Sequence, residues 1–301
     1  MAIEVKRIMR DIKALKIQGA RRVAEATAKA LVISIQKSNA KTREEILNEI
    51  EKISEKLLSL RPTEPMARNT LRFFFARLEK GKDVEEIKKI AEETMKIYDK
   101  MFTESFLKIT EYGSEMIWDN QVILTHCHST TVNSILIRAN KKKKIKVYCT
   151  ETRPLYQGHI TAKQLASAGV DVTLIIDSAV RHVMKDVNIV IVGADAIATD
   201  GSLYNKIGTS TIATVANDMK VPFYSATQIY KFDPLTKFGK MTEIEMRDPK
   251  EVLAKKIKGL KVINPAFDIT PPPYIRAYIT ELGIIPPQNI MSAVERYLQN
   301  E

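Results

Sequence analysis

Short apolar runs recur through the second part of the chain, and their spacing restricts what it can fold into. They are commonly separated by about 20 to 30 residues of helical pattern, as in the βα units of a parallel sheet covered by helices. The runs are Val122–Thr125, Ile145–Cys149, Val172–Ile176, Ile189–Val192, Pro222–Ala226 and Val262–Asn264. The predicted fold class is α/β, with a Rossmann-like parallel-sheet domain over residues 115–301.

The fourth run, Ile189–Val192, is apolar at every position, which is typical of a parallel strand buried on both faces. It breaks at Gly193 and Ala194, and the carboxylate of Asp195 then follows the carboxyl end of the strand. Open α/β sheets bind their ligands at that end of their strands. Asp195 is therefore a candidate for chemistry, although an aspartate that only caps a turn fits the sequence equally well.

A lysine lies close to a predicted helix start further along the chain. Asn205 and Lys206 precede Gly208–Ser210, which are good starter residues for a helix predicted over Thr211–Met219. Free N–H groups at a helix start beside a lysine favour an anion. The alternative is that Lys206 is a solvated surface charge.

Cys127 follows the first predicted strand, and the next helix is predicted to open at about Ser129. A helix N-terminus lowers the pKa of a neighbouring thiol, so Cys127 is a candidate base. The alternative is a small buried side chain, an interpretation that fits Cys149 better, since no helix start follows it directly. His126 and His128 flank Cys127, but no further ligand cluster accompanies them, so no metal site is predicted.

Residues 1–114 show helical periodicity and no strand pattern, which predicts an all-helical N-terminal domain. Gly19 interrupts the pattern and predicts a break between two helices. Thr42 is the predicted N-cap of a helix over Thr42–Leu58, with Glu45 completing a capping box. Two further helices are predicted near Pro65–Glu79 and Asp83–Tyr112, and Gly113 marks the predicted boundary.

The end of the chain is rich in proline, with Pro271–Pro273 followed by Pro286 and Pro287. Proline cannot donate to a strand ladder, so we expect ordered loops rather than sheet there. Short helices are predicted near Tyr274–Leu282 and Ile290–Leu298.

Charge and composition narrow the class of partner. The net charge of +11 would suit either a nucleic acid or a phosphorylated metabolite. The dense basic run Lys141–Lys144 has no interleaved aromatic residues, so we interpret it as a solvated loop and expect no nucleic acid partner. The start of the chain lacks an apolar signal core and no segment has the length of a membrane span, which predicts a cytoplasmic protein. The first strand is not followed by GxGxxG, so no NAD site and no other cofactor is predicted.

Five motifs carry a resemblance to a known family: Thr125–Ser129, Thr150–Pro154, Gly193–Asp195, Asn205–Thr209 and Tyr230–Phe232. Over essentially its whole length the chain resembles the family that unites methylthioribose-1-phosphate isomerases, the regulatory subunits of initiation factor two-B and archaeal ribose-1,5-bisphosphate isomerases. It is most similar to the last of these branches. The pair Cys127 and Asp195 discriminates, because the catalytic branches keep both residues and the regulatory branch typically does not. Methylthioribose-1-phosphate isomerases have Asn-Thr-Gly after the cysteine, where this chain has His128, Ser129 and Thr130.

The resemblance implies an aldose–ketose isomerase that converts α-D-ribose 1,5-bisphosphate to D-ribulose 1,5-bisphosphate in nucleoside monophosphate degradation, without a metal or a nicotinamide. Asp195, protonated in a dry pocket, is expected to donate to the ring oxygen. Cys127, as a thiolate, is expected to remove the proton from carbon 2 and help return one to carbon 1. Substrate binding is expected of Gln18, Gly19, Ala20, Arg21, Arg61, Ser129, Asn205, Lys206 and Lys231.

One position departs from the family pattern. The isomerases usually have Arg-Gly-Ala where this chain has Gln18, Gly19 and Ala20, so either Arg21 or Arg22 supplies the missing charge or substrate affinity is lower. The resemblance also implies a homo-oligomer, a hexamer built as a trimer of dimers. Two alternatives stay open: an isomerase of methylthioribose 1-phosphate, and a non-catalytic regulatory subunit that binds an initiation factor or a nucleotide.

Overall fold

The computed structural model describes residues 3–17, 19–61, 64–238 and 244–299. The chain divides into two compact units, Met1–Glu104 and Ser105–Glu301. No helix in the described part of the chain combines the length and apolar character that a membrane crossing requires.

The first unit is helical, as the sequence predicts. Gly19 has a φ of 85° and separates the first two helices, and Thr42 and Glu45 form the predicted capping box at the start of the third. Apolar faces bury Leu31 and Phe74 completely. The helices are α1 (Ile3–Lys13), α2 (Ala20–Gln36), α3 (Arg43–Leu58), α4 (Pro65–Leu78) and α5 (Val84–Glu115), whose part from Ser105 onward belongs to the second unit.

Helix α5 runs through Gly113, so the predicted boundary falls inside its last turn. The end of α5 is closed by Lys143, whose Nζ donates to the carbonyls of Ser114 (2.8 Å), Glu115 (3.3 Å) and Ile117. A cation suits the negative end of a helix. Lys143 is thus partly buried in a structural role, whereas Lys141, Lys142 and Lys144 are exposed as the solvated-loop interpretation requires.

The second unit is built on a seven-stranded sheet in the order β11-β10-β7-β4-β1-β2-β3. All neighbours pair in parallel except β10 and β11. The strands are β1 (Val122–Thr125), β2 (Lys146–Thr150), β3 (Asp171–Ile175), β4 (Ile189–Val192), β7 (Phe223–Ala226), β10 (Ala277–Thr280) and β11 (Gly283–Ile285). Counted along the chain, the six parallel strands lie in the doubly wound order 3-2-1-4-5-6, which confirms the Rossmann-like prediction.

Helices cover both faces of this sheet because its strands alternate apolar side chains between two cores. One core contains Leu124 and Val190, and the other contains Ile123 and Ile191. The helices are α6 (Thr130–Asn140), α7 (Gln157–Ser167), α8 (Val180–Val183), α9 (Thr209–Asp218) and α10 (Ile290–Gln299).

The proline-rich end of the chain corrects three predictions, the first being that it forms ordered loops rather than sheet, since three of its segments are strands. Val262–Asn264 is not a strand; Ile263 is 79% exposed, whereas Asn264 is buried, so the run does not form a buried apolar strand. Tyr274–Leu282 is not a helix, because its centre forms β10, which pairs with β7 and is buried at all four positions. A fully buried run this short cannot be assigned to a helix or a strand by periodicity alone. The predicted final helix is confirmed as α10.

A second, smaller sheet was not predicted. Its strands lie in the order β8-β5-β6-β9. They are β5 (Ala196–Ala198), β6 (Leu203–Lys206), β8 (Phe232–Asp233) and β9 (Phe267–Thr270), each only two to four residues long. This sheet starts directly after β4 and leads into α9, so it fixes where the chain runs beyond the edge of the large sheet.

Candidate active site

Strands β1 and β4 are adjacent and parallel, with Ile123 opposite Ile189. The strand order reverses between them, and this switch point is where doubly wound sheets open a crevice for ligands. Cys127 follows β1 and Asp195 follows β4, so topology brings the two candidate residues to one place. They influence each other there: the pKa of the Cys127 thiol is raised mainly by burial, lowered by Lys206 and raised to a smaller degree by the Asp195 carboxylate.

Cys127 lies in a left-handed backbone conformation, with a φ of 65°. A residue other than glycine rarely adopts this backbone conformation unless its surroundings restrain it. Here its N–H donates to the Thr152 hydroxyl (2.9 Å) and its carbonyl accepts from the Thr161 hydroxyl (2.8 Å). Asp177 in turn accepts from the N–H of Thr152 (2.8 Å). Two hydroxyls and one carboxylate therefore fix the turn that presents the thiol.

Burial raises the pKa of the Cys127 thiol to about 11, although Lys206 and the N–H of His128 act in the opposite direction. The predicted lowering of this pKa by the start of α6 is therefore wrong. Removing the thiolate from water costs more than the nearby cation and the peptide N–H return. The raised pKa keeps the thiol protonated at neutral pH, while the residue as a whole is partly exposed.

The loop after β4 approaches the start of α6 very closely. A Cβ atom at Gly193 would lie 3.0 Å from both Cβ and Oγ of Ser129, so only glycine fits without movement. Ser129 is the N-cap of α6 and accepts from the N–H of Val132 (3.3 Å). Gly193 thus allows the Asp195 loop to lie against the turn that carries Cys127.

Asp195 is partly buried, and its N–H donates to the Tyr204 carbonyl (2.9 Å). Among the residues that the structure describes, none donates a hydrogen bond to its carboxylate. Lys231 reaches the same loop, because its Nζ donates to the Ala194 carbonyl (2.5 Å). The carboxylate is therefore held by its backbone and available to a substrate.

His126 is a buried structural residue. Its Nε2 donates to the Ile207 carbonyl (2.8 Å), which leaves Nδ1 to accept from the Thr150 hydroxyl (2.6 Å). Burial lowers its pKa to about 4, so it is neutral at physiological pH. His128 donates through Nδ1 to Thr161 (3.1 Å), whose own proton goes to the Cys127 carbonyl. Both histidines thus brace turns, and the described residues contain no group of His, Cys, Asp or Glu that could hold a metal ion.

Asn205 and Lys206 are the last two residues of β6, directly before the turn to α9. Asn205 is buried and donates to the Thr209 hydroxyl (3.0 Å), while the Lys206 ammonium lies 4.8 Å from the centre of the Phe267 ring. Gly208 has a φ of 102°, and a Cβ there would lie 3.1 Å from Cε1 of His126. Asn205 and Lys206 are therefore placed by the second sheet and by a turn that requires glycine.

The prediction that free N–H groups at the start of α9 favour an anion is wrong in one respect. The Asp268 carboxylate already accepts the N–H groups of Gly208 (2.7 Å) and Ser210 (3.1 Å). Helix α9 begins at Thr209, two residues earlier than predicted. An anionic substrate would meet the Lys206 ammonium rather than these capped N–H groups.

Four supporting residues were missed in the sequence. Thr152 lies within a motif that supports the resemblance, but nothing in the pattern indicates that it accepts from Cys127. Thr161, Asp177 and Asp268 lie on α7, after β3 and on β9, far from the motifs they brace. Only the sheet topology brings them close.

The remaining predicted ligands belong to the first unit. Gly19 and Ala20 form the start of α2, and Gln18 lies outside the described residues. Arg21 pairs with Glu25 (2.7 Å), and Arg61 pairs with Glu64 (2.6 Å) in a largely buried ion pair. Each arginine thus has a carboxylate partner within its own unit.

Comparison with known proteins shows which family the chain resembles. Residues 16–287 match the initiation factor 2 subunit family. A ribose 1,5-bisphosphate isomerase from Methanocaldococcus jannaschii is 44% identical over 97% of this chain and 95% of that protein. Among solved structures, a translation initiation factor eIF-2B from Pyrococcus horikoshii OT3 has a TM-score of 0.84 and 29% identity, covering 97% of this chain and 100% of that one. A 5-methylthioribose 1-phosphate isomerase from the same organism has a TM-score of 0.79 and 32% identity, covering 97% and 88%.

Proposed function

Because the chain belongs to the initiation factor 2 subunit family, we propose that it is the isomerase of that family that converts α-D-ribose 1,5-bisphosphate to D-ribulose 1,5-bisphosphate. The observation that carries this proposal is the meeting of Cys127 and Asp195 at the switch point of the sheet. A thiol and a carboxylate at one crevice are the two proton-transfer groups that an aldose–ketose isomerisation needs.

The proposed steps balance without an outside oxidant. Asp195 donates a proton to the ring oxygen as the bond from carbon 1 to that oxygen breaks. Cys127 then removes the proton from carbon 2, which gives an enol phosphate. Carbon 1 finally takes a proton while the hydroxyl on carbon 2 becomes the ketone and returns a proton to Asp195. Carbon 2 is oxidised and carbon 1 is reduced, so the reaction is an internal transfer.

The raised pKa of Cys127 fits this role in a specific way. With a pKa of about 11, on the order of one thiol in ten thousand is ionised at pH 7. Each thiolate is correspondingly a strong base, which removal of a carbon-bound proton requires. Lys206 lowers the pKa of the thiol, so we assign it a second role beside phosphate binding: it stabilises the thiolate.

Phosphate binding is proposed for Lys206, Lys231, Asn205 and Ser129 in the second unit. Gly19, Ala20, Arg21 and Arg61 are proposed as ligands from the family resemblance. Arg21 now pairs with Glu25 and Arg61 with Glu64. To bind a phosphate, each arginine would either leave its carboxylate or contact both anions at once.

The decisive experiment compares substrates. The pure protein is incubated separately with α-D-ribose 1,5-bisphosphate and with methylthioribose 1-phosphate, and ketose formation is followed. We expect turnover of the bisphosphate, in line with the 44% identity to an isomerase of that name against 36% for a methylthioribose-1-phosphate isomerase. Turnover of the methylthio sugar alone would overturn the proposed substrate and keep the reaction type.

A regulatory role is the second candidate, favoured by the structural similarity to a protein described as an initiation factor. Capture of initiation factor two by the immobilised chain, with no turnover of either sugar, would support that role. We also propose a homo-oligomeric assembly, a hexamer, which light scattering of the pure protein tests through the mass of six chains.

A further inference from the structure

Asp268 lies on β9 directly opposite Asn205 of β6. One carboxylate oxygen accepts two peptide N–H groups, from Gly208 and from Ser210. These groups flank the first residue of α9, so a single side chain spans the turn that follows Lys206. Its neighbour on β9, Phe267, is paired with Lys206 and places its ring 4.8 Å from the ammonium. Adjacent residues of one strand therefore restrain both the backbone and the side chain of this turn.

The other carboxylate oxygen of Asp268 is buried and has no hydrogen-bond partner among the described residues. A buried charge left partly unsatisfied is costly, and burial raises the pKa of Asp268 to about 6. Neutral serine or asparagine caps a helix about as well as aspartate does. Helix capping alone therefore does not account for a carboxylate here. Lys206 is the cation that favours its charged form.

We propose that Asp268, together with Phe267, is a positioning residue that holds the Lys206 ammonium beside the Cys127 thiol. The inference rests on the proposed function for the roles of Lys206 and Cys127. It adds that the acidic strand residue, through the peptide groups of Gly208 and Ser210, sets where the cation lies. Asp268 does not touch the reacting atoms.

The effect on Cys127 separates positioning from simple electrostatics. Removing a negative charge from the neighbourhood of a thiol lowers its pKa and speeds alkylation. Releasing Lys206 from the thiol has the opposite effect, because a stabilising cation is lost. The two explanations therefore predict changes of opposite sign in one measurement that needs no substrate.

The experiment measures alkylation of Cys127 by iodoacetamide at pH 9, followed peptide by peptide, so that the buried Cys149 is counted separately. In Asp268→Ala we expect the rate at Cys127 to fall about threefold or more, which corresponds to a pKa rise of about half a unit. Asp268→Asn keeps an oxygen that can accept both N–H groups and is expected to restore most of the rate. An unchanged or faster rate in folded Asp268→Ala overturns the inference.

A matched control removes a different helix cap. Asp83 accepts the N–H of Glu86 (2.8 Å) at the start of α5, so Asp83→Ala should lower the melting temperature without changing alkylation of Cys127. A purely structural Asp268 would behave in the same way. If Asp268→Ala does not fold, Phe267→Leu keeps the carboxylate and removes the ring beside Lys206; slower alkylation supports the inference, and an unchanged or faster rate contradicts it.

Kinetics distinguish this inference from the proposed function. If the chain isomerises ribose 1,5-bisphosphate, Asp268→Ala should raise KM more than it lowers kcat, because Lys206 is proposed to bind phosphate. Slower alkylation in Asp268→Ala, with no turnover by the wild-type chain, would support the positioning role and contradict the proposed function. Turnover by the wild-type chain, with unchanged alkylation in Asp268→Ala, would support the proposed function and contradict the positioning role.

Discussion

The two turns that build the site solve the same geometric problem by different means. The turn from β1 to α6 carries Cys127, and the turn from β6 to α9, called the Lys206 turn below, directly follows Lys206. Each contains one residue with a left-handed backbone, Cys127 with a φ of 65° and Gly208 with a φ of 102°. The first turn places a residue with a side chain in this unfavourable backbone conformation, because that side chain is the reactive one. The second turn uses glycine.

The groups that brace the two turns also differ in charge. Hydroxyls of Thr152 and Thr161 contact the backbone of Cys127 directly. The Lys206 turn is instead braced by a carboxylate, Asp268. Neutral hydroxyls contact the backbone of the reactive residue directly, and the carboxylate of Asp177, which supports Thr152 from behind, raises the pKa of the Cys127 thiol far less than burial does. A carboxylate near the Lys206 ammonium is less unfavourable than one near the Cys127 thiolate, because opposite charges attract.

The largest effect should come from the reactive turn. Cys127→Ser keeps the shape of the side chain but supplies a much poorer base, so kcat should fall by about 100-fold or more while KM changes little. Asp195→Asn should also stop turnover, since an amide cannot donate a proton to the ring oxygen as an acid does. Both variants should still bind substrate in calorimetry. Retention of more than about a tenth of the wild-type rate by Cys127→Ser would mean that the thiol is not the base.

The contrast between the turns also explains what the sequence could predict. Strand β4, the loop to Asp195 and the start of α6 follow from local apolar runs and cap residues, and the structure has them as predicted. The small sheet of β5, β6, β8 and β9 was missed because its strands are too short to show periodicity. Asp268 was missed for the same reason, and its partners, Gly208 and Ser210, lie about 60 residues away along the chain.

The direction of the Cys127 pKa was also beyond local reasoning. The proximity of a helix N-terminus is visible in the sequence, but the burial that outweighs it depends on packing from several elements. Motifs thus identified candidate residues, and the fold determined their environment.

The pH dependence of the thiol provides the next test. The folded pKa of Cys127 is raised to about 11 from an ordinary value of 9.0, so the thiolate forms only as the pH rises toward 11. Alkylation of Cys127 by iodoacetamide should therefore increase about tenfold per pH unit from pH 7 to pH 10. Mass spectrometry of the Cys127 peptide follows the reaction. A plateau below pH 8 would show that α6 lowers the pKa after all.

A smaller effect is expected when the cationic turn loses its charge. Lys206→Met preserves most of the side chain length but removes the ammonium that lowers the pKa of Cys127. Alkylation of Cys127 at pH 9 should slow by about three- to tenfold, the change for a pKa rise of half a unit to one unit. Lys206→Arg keeps a cation and serves as the control. Equal rates in Lys206→Met and the wild type would mean that the two turns act independently.

The smallest effect concerns how the two helices are capped. Helix α6 is capped locally by Ser129, whose Oγ accepts from Val132, whereas α9 is capped by Asp268 from another strand. Ser129→Ala should therefore destabilise the folded protein by about 1 kcal/mol, and Ser129→Gly by only a few tenths, as measured by denaturant unfolding.

The alanine variant retains the Ser129 Cβ that faces Gly193, so we expect it to remove the cap without changing the packing of the Asp195 loop. Because Ser129 is also a proposed phosphate ligand, its loss should raise KM modestly while the alkylation rate of Cys127 stays the same. A large change in alkylation would mean that Ser129 positions the thiol itself. The hydroxyls of Thr152 and Thr161 would then not suffice to hold the reactive turn.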